Sequence, residues 1–254
     1  MQDATRMLLA ARDAKRILAP LGNAAPRDVA AAYAVQHEVA QARGAVPPAG
    51  FKIGATTRQM QQYLGLPHPA AGFVPASSLN PIGFTAPFHA FIGLGVECEL
   101  GVRLGADLPF GPTTPEQAQA AVGEVFAAME IVEQRYGNLA ELGTPTLIAD
   151  QVFHASGVMG PPAIDWRAMD LGAIRGEILV DGVSRGAGHG RDLLGHPFQA
   201  LAWLAGSGAA QVFGGLHAGQ VIWLGSVTPP IWLDGPCAVR VTFEGLGDVQ
   251  AKFT

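Results

Sequence analysis

Between Val96 and Leu104 the chain reads VECELGVRL, with apolar residues on every second position. Val96, Cys98, Leu100, Val102 and Leu104 form one set; Glu97, Glu99, Gly101 and Arg103 form the other. Successive side chains of a strand point to opposite faces, so this alternation predicts a β-strand with Glu97 and Glu99 on one face. Two carboxylates so placed repel, and one is pushed toward protonation. A hard divalent cation resolves the conflict, because Mg²⁺ takes oxygen ligands and keeps positions open for water or substrate. Glu-X-Glu is also common on solvated strand faces, so the spacing alone leaves both readings open.

The remainder of the sequence suits a β-rich body. Hydrophobic residues make up 49% and charged residues only 15%, with 33 Gly and 19 Pro among 254 residues, a texture of short elements joined by turns. That length can bury a sizeable core as one large domain or two small ones. The net charge of -5 and the lack of a basic cluster give nucleic-acid binding no electrostatic support. No apolar run approaches the roughly 20 residues of a membrane span. The N-terminal MQDATRMLLAARDAKRIL spreads its charges and has no apolar h-region, so it reads as a helix and not a signal peptide. Cys98 and Cys237, in strand-like segments, are expected to be two buried thiols, not a disulfide framework. A cytoplasmic location follows as the default.

Helical patterning covers Ala4 to Leu18 and, after Pro26 at a first-turn position, Ala30 to Ala42, with Gly44 as the stop. Residues 1–46 are therefore expected to form a small helical region packed on a β-rich catalytic body of residues 47–254. Within that body, Thr114-Pro115-Glu116-Gln117 predicts a capped helix ending near Gly123, and Ala127 to Gln134 reads as a strand. Gly195-His196-Pro197 leads into a helix closed by Gly206, and AVRVTF with DVQAKF predicts a β-hairpin.

VECELGVRLGADLP, followed about thirty residues on by AAMEIVEQRY and then TLIADQ, resembles the fumarylacetoacetate hydrolase superfamily. The nearer resemblance is to its branch of 2-keto-4-pentenoate hydratases and 4-oxalocrotonate decarboxylases. AYAVQHEV and GFKIGATTRQMQQYLGL resemble the N-terminal half of that branch; LLGHPFQALAWLA, LHAGQVIWLGSVT and VRVTFEGLG resemble its C-terminal half, in the same order. The resemblance implies an α+β fold, a mixed-sheet roll or barrel of the family's C-terminal type with a small helical N-terminal region. It implies Mg²⁺ or Mn²⁺ held by Glu97, Glu99 and Glu130. Glu133 is a rival for the third place, but Glu130 lies in the apolar run AMEIV, where an unpaired charge would be costly. Lys52 is implied as a substrate-contacting cation able to move a proton, and Asp150 as a second catalytic residue. Gln151, Phe153, Ser226 and Thr228 are implied to touch substrate. His196 reads as architectural, where a loop enters a helix. The adjacent His37 and Glu38 lie on a predicted helix, where neighbours point different ways, and are not credited as a dyad. A homo-oligomer working in aromatic-compound breakdown is implied as well.

Two departures bear on the reaction. Relatives follow their Ala-Asp pair with Asn and then a hydroxyl residue, whereas this chain has Gln151 and Phe153. Relatives often carry an acid after the Lys-Ile-Gly segment, and Pro69-Ala70-Ala71-Gly72 offers none. The expected activity is therefore a lyase on a small 2-oxo acid, first as hydration of a 2-hydroxypenta-2,4-dienoate-like compound. Decarboxylation of a 2-oxo-hex-3-enedioate-like acid comes second and acylpyruvate-type hydrolysis third. A family member that binds 2-oxo acids without turnover is the reading outside catalysis.

Overall fold

The alternation in VECELGVRL becomes an eleven-residue strand, Leu94–Leu104, inside the computed structural model, which describes residues 2–254. All five members of its apolar set are buried. Leu94–Leu104 pairs antiparallel with Val122–Glu133 on one side and Val221–Ser226 on the other. These strands are the middle of a mixed eight-stranded sheet that curls into a half-barrel. Gly50–Gly54 and Ala70–Val74 extend one flank, and His154–Met159 and Leu79–Asn80 the other; Ile231–Trp232 pairs with the start of Leu94–Leu104. A second sheet orders Phe84–Ala86, Gly247–Phe253, Cys237–Phe243, Arg175–Val180 and Val183–His189. The expected hairpin closes there, from Cys237 opposite Phe253 to Phe243 opposite Gly247. Its buried residues, including Val241, Phe243, Val249 and Phe253, share one core with Val125 and Met129 of the first sheet. The α+β, mixed-sheet expectation holds.

The helices differ in detail from the periodicity. The first spans Asp3–Asp13, not Ala4 to Leu18, because Lys15 adopts a left-handed φ of 45° and the chain then straightens. Leu18, expected on the helical stripe, instead donates its N–H to the Arg135 carbonyl at 2.7 Å and buries its side chain. The second helix, Val29–Ala42, is capped by Asp28, whose carboxylate accepts from the Ala31 N–H; Pro26 precedes this cap and is not in the first turn. Thr114 and Gln117 form the expected capping box, but Pro115–Ala121 is followed immediately by a strand, Val122–Glu133, that begins earlier than its apolar run suggested. His196 caps Pro197–Ala205, its Nδ1 accepting from the Phe198 N–H. Cys98 is buried as expected, whereas Cys237 is only half-buried at the start of its strand. No helix among the described residues is long and apolar enough to cross a membrane.

The N-terminal helix is fastened by its polar side chains to the second helix and to the end of the helix Thr144–Ala149. Glu38 accepts from the Gln2 N–H and the Thr5 hydroxyl, which spends its carboxylate on joining two helices. Arg12 donates to Asp150 at 2.7 Å, and the same carboxylate receives Arg135 and, at 2.9 Å, the Tyr136 hydroxyl. Asp150 is fully buried, so removing its charge strands two guanidinium groups in a poorly hydrated place. Asp150→Asn is expected to lower unfolding free energy by about 3–5 kcal/mol, read by chemical denaturation; a loss below about 1 kcal/mol would contradict this structural account.

Candidate metal centre and its cavity

In the ladder between Leu94–Leu104 and Val122–Glu133, Glu97 stands directly opposite Glu130, and Glu99 lies two residues further along the Glu97 face. Direct cross-strand partners hold their Cβ atoms about 4.5–5.5 Å apart, close enough for like charges to destabilise the pair. The structure thus brings together the three acids expected from the sequence, each with a carboxylate oxygen within 4.8 Å of the others'. Glu99 and Glu130 are fully buried, and Glu97 is half-buried at the opening. Glu133, the rival, faces elsewhere and accepts from the Ile92 N–H at 2.9 Å.

Several neighbours fix the orientation of these carboxylates. Glu99 Oε2 accepts from the Gly225 N–H at 2.7 Å. Gly225 has a φ of +117°, and a Cβ there would stand 2.5 Å from Thr56 Cγ2, so only glycine supplies this donor without strain. Glu130 Oε1 receives His154 Nδ1 at 2.8 Å and has Lys52 Nζ at 3.4 Å. Burial, aided by the nearby Lys52 charge, holds the His154 imidazolium form well out of reach at neutral pH. The neutral ring, protonated on Nδ1, can donate to an ionised Glu130 and accept the Ser78 hydroxyl at Nε2, 3.1 Å away. His154 was missed in the sequence, where a lone histidine after Phe153 carries no spacing signal; its place opposite Val132 in the ladder brings it to Glu130.

Two buried oxygens, Glu99 Oε1 and Glu130 Oε2, have no hydrogen-bond partner. Burial first, and then the Glu130 charge, pushes Glu97 up from 4.5 to about 8 and Glu99 well above its ordinary range. Burial also raises Glu130, against the pull of Lys52. Fully ionised, three carboxylates beside one ammonium leave two negative charges uncompensated, the charge of one divalent cation. Unpartnered oxygens, an all-oxygen donor set and that charge deficit fit a hard divalent ion with positions left for a chelating ligand.

The cleft around Glu97 has two lobes. One, of about 740 Å³, is lined by Thr56, Thr57, Arg58, Asp192, Ser226 and Thr228. The other, of about 320 Å³, is lined by Lys52, Met60, Val132, Leu139, Val152, Phe153 and Trp232. Glu97 borders both. Ser226 faces the first lobe while its Oγ accepts the Cys98 and Thr228 N–H groups. Lys52 and Phe153 border the second. Asp150 and Gln151 line neither lobe: Asp150 is spent on Arg12 and Arg135, and the Gln151 amide donates to the Phe73 carbonyl at 2.7 Å. Gln151, Val152 and Phe153 all take left-handed φ values, 64°, 51° and 67°. For residues with a Cβ this costs on the order of 1–2 kcal/mol each, and the turn is held by Val152 N–H to Leu147 O and Glu133 N–H to Phe153 O.

The chain is similar to known proteins in both sequence and fold. A family model described as fumarylacetoacetate (FAA) hydrolase C-terminal matches residues 30–254. A 2-keto-4-pentenoate hydratase of Paraburkholderia phymatum is 29% identical over 247 residues, covering 96% of this chain and 94% of the relative. A 2-hydroxyhexa-2,4-dienoate hydratase of Comamonas testosteroni is 31% identical over 208 residues, covering 81% of this chain and 78% of the relative. Among solved structures, the 4-oxalocrotonate decarboxylase of Pseudomonas putida G7, complexed with magnesium and adipate, superposes with a TM-score of 0.89 at 25% identity, covering 99% and 96% of the two chains.

Two outcomes are expected of the centre. The folded, metal-free protein holds protons on carboxylates that the unfolded chain releases near 4.5, so it binds more protons than the unfolded chain up to about pH 8. Its stability therefore falls as pH rises through that window, and added Mg²⁺ or Mn²⁺, which competes with those protons, stabilises it more at the upper end. Thermal melts in chelator and in metal across the window check this; a metal-induced shift that does not grow with pH counts against the centre. His154→Ala frees Glu130 to turn, and is expected to weaken Mn²⁺ binding about 10–100-fold by titration calorimetry.

Proposed function

Since this chain belongs to the fumarylacetoacetate hydrolase family, we propose that it is a divalent-metal-dependent hydro-lyase, hydrating a 2-hydroxypenta-2,4-dienoate-like acid to a 4-hydroxy-2-oxo acid. The single observation that carries the reading is the convergence of Glu97, Glu99 and Glu130 beside a cleft that continues past them on both sides. The hydratase relatives, aligned over most of their length, support the choice of reaction. Mg²⁺ or Mn²⁺, bound by the three acids, would act as a Lewis acid toward the keto and carboxylate oxygens of a 2-oxo acid.

The chain's own groups do the remaining work in this reading. Ser226 and Thr228, which line the larger lobe, are assigned to the substrate carboxylate. Lys52, held within 3.4 Å of Glu130 and almost without solvent, is assigned to move a proton. The dienol gives up its hydroxyl proton and gains one at C5, forming the 2-oxo-3-enoate. Water then adds its oxygen to C4 and a proton to C3, so the net change is one water gained. Glu97, half-buried at the junction of the lobes, borders the space where that water arrives. The reading carries with it a homo-oligomer, as the family resemblance implies, with the cytoplasm as the default location.

The close superposition on a decarboxylase supports a second reading, loss of CO₂ from a 2-oxo-hex-3-enedioate-like acid. Incubating the protein and Mg²⁺ with each acid separates the two. The expected result is 4-hydroxy-2-oxopentanoate from 2-hydroxypenta-2,4-dienoate, abolished by Glu97→Gln; release of CO₂ from the enedioate with no hydroxy acid formed from the dienoate would reverse the order.

A further inference from the structure

We infer that the substrate carries an apolar alkyl or aryl substituent beyond its 2-oxo acid end, received by the lobe between Phe153, Val152, Leu139, Val132 and Trp232. This rests on the functional reading above and adds the substrate class to it. The lobe begins at Lys52 and Glu97, the only charged residues lining it among the described residues, and Gln59, Tyr63 and Gln134 are its uncharged polar side chains. Both belong to the ion-binding end, and Lys52 already faces Glu130. A second carboxylate entering this lobe would lose part of its water and meet no cation beyond that end, a costly transfer. An alkyl or phenyl group would exchange water for Met60, Leu139, Phe153 and Trp232, which favours binding. The volume, about 320 Å³, lies at the small end of ligand cavities and suits a short tail.

The backbone supports the same assignment. Three successive residues with side chains, Gln151 to Phe153, are held left-handed, and the two that border the lobe are Val152 and Phe153. Strain of this kind persists where the surroundings over-determine it, and it concentrates at ligand sites. The fold makes room for the turn: a Cβ on Gly72 would stand 2.7 Å from the Gln151 carbonyl oxygen. Aromatic neighbours then set the position of Phe153, with Tyr136 at 5.1 Å and Trp232 at 6.3 Å between ring centres. Trp232 is still 41% exposed, a large apolar ring left at the rim of the lobe.

The test is calorimetry of the Mg²⁺-loaded protein with three saturated 2-oxo acids that cannot turn over as dienols: pyruvate, 2-oxohexanoate and 2-oxoadipate. Each buried methylene is worth about a three- to fourfold gain in affinity, so 2-oxohexanoate is expected to bind at least about tenfold tighter than pyruvate. 2-Oxoadipate, of similar length but ending in a carboxylate, is expected to bind no tighter than pyruvate. Trp232→Ala is expected to shrink the 2-oxohexanoate advantage. If 2-oxoadipate binds tightest, the inference is overturned while the functional reading stands, and loss of that preference in Arg58→Gln would assign the second carboxylate to the larger lobe, which Arg58 lines. Equal affinity for all three acids overturns it as well. Failure of every acid to bind would overturn the functional reading along with it.

Discussion

Mutual repulsion among Glu97, Glu99 and Glu130 is the constraint on which the rest of the site is arranged. Three carboxylates lie on adjacent strands, two of them sealed from solvent; burial raises the proton affinity of each, and the Glu130 charge raises Glu97 and Glu99 further. Charge can be restored there by protons or by a divalent cation. The surroundings favour the cation geometrically. The Gly225 N–H and His154 each tie down one oxygen of a carboxylate and leave its second oxygen unpartnered.

Rigidity near this cluster comes from the sheet, and variation from the loops that surround it. Glu97, Glu99 and Glu130 sit on the two longest paired strands, where register fixes their spacing. Residues bordering the two lobes come from the Arg58–Leu64 helix, the left-handed turn at Gln151 to Phe153 and the Pro229-Pro230 segment. Such a division lets a sheet-borne metal centre be kept while the neighbouring loops reshape what can be admitted beside it. Phe153 is the clearest instance: it borders the smaller lobe and turns that side of the cleft apolar.

The ion-pair cluster around Asp150 shows how a sequence motif and its role can separate. The Ala149-Asp150-Gln151 run marked a site segment, and the segment does adjoin the cavity. Its two polar side chains, however, turn away from the lobes, Asp150 to Arg12 and Arg135 and Gln151 to the Phe73 carbonyl. Both act to hold the turn that delivers Val152 and Phe153. Leu18 is a parallel case at the other end of the chain. Its spacing suited a helix, but a hydrogen bond to Arg135, more than a hundred residues away in sequence, drew it into an extended conformation.

Local pattern alone determined the strand Leu94–Leu104, the common face of Glu97 and Glu99, the capping box at Thr114 and the C-terminal hairpin, because each depends on side-chain periodicity or on bonds only a few residues apart. The family resemblance supplied Glu130 and Lys52. Tertiary structure decided that Glu130 lies opposite Glu97, that His154 and Gly225 orient the acids, and that Phe153 and not Asp150 meets the cavity. Those facts depend on the pairing register between distant strands and on backbone conformations that neighbouring elements impose, and neither is encoded in the spacing of residues along a single segment.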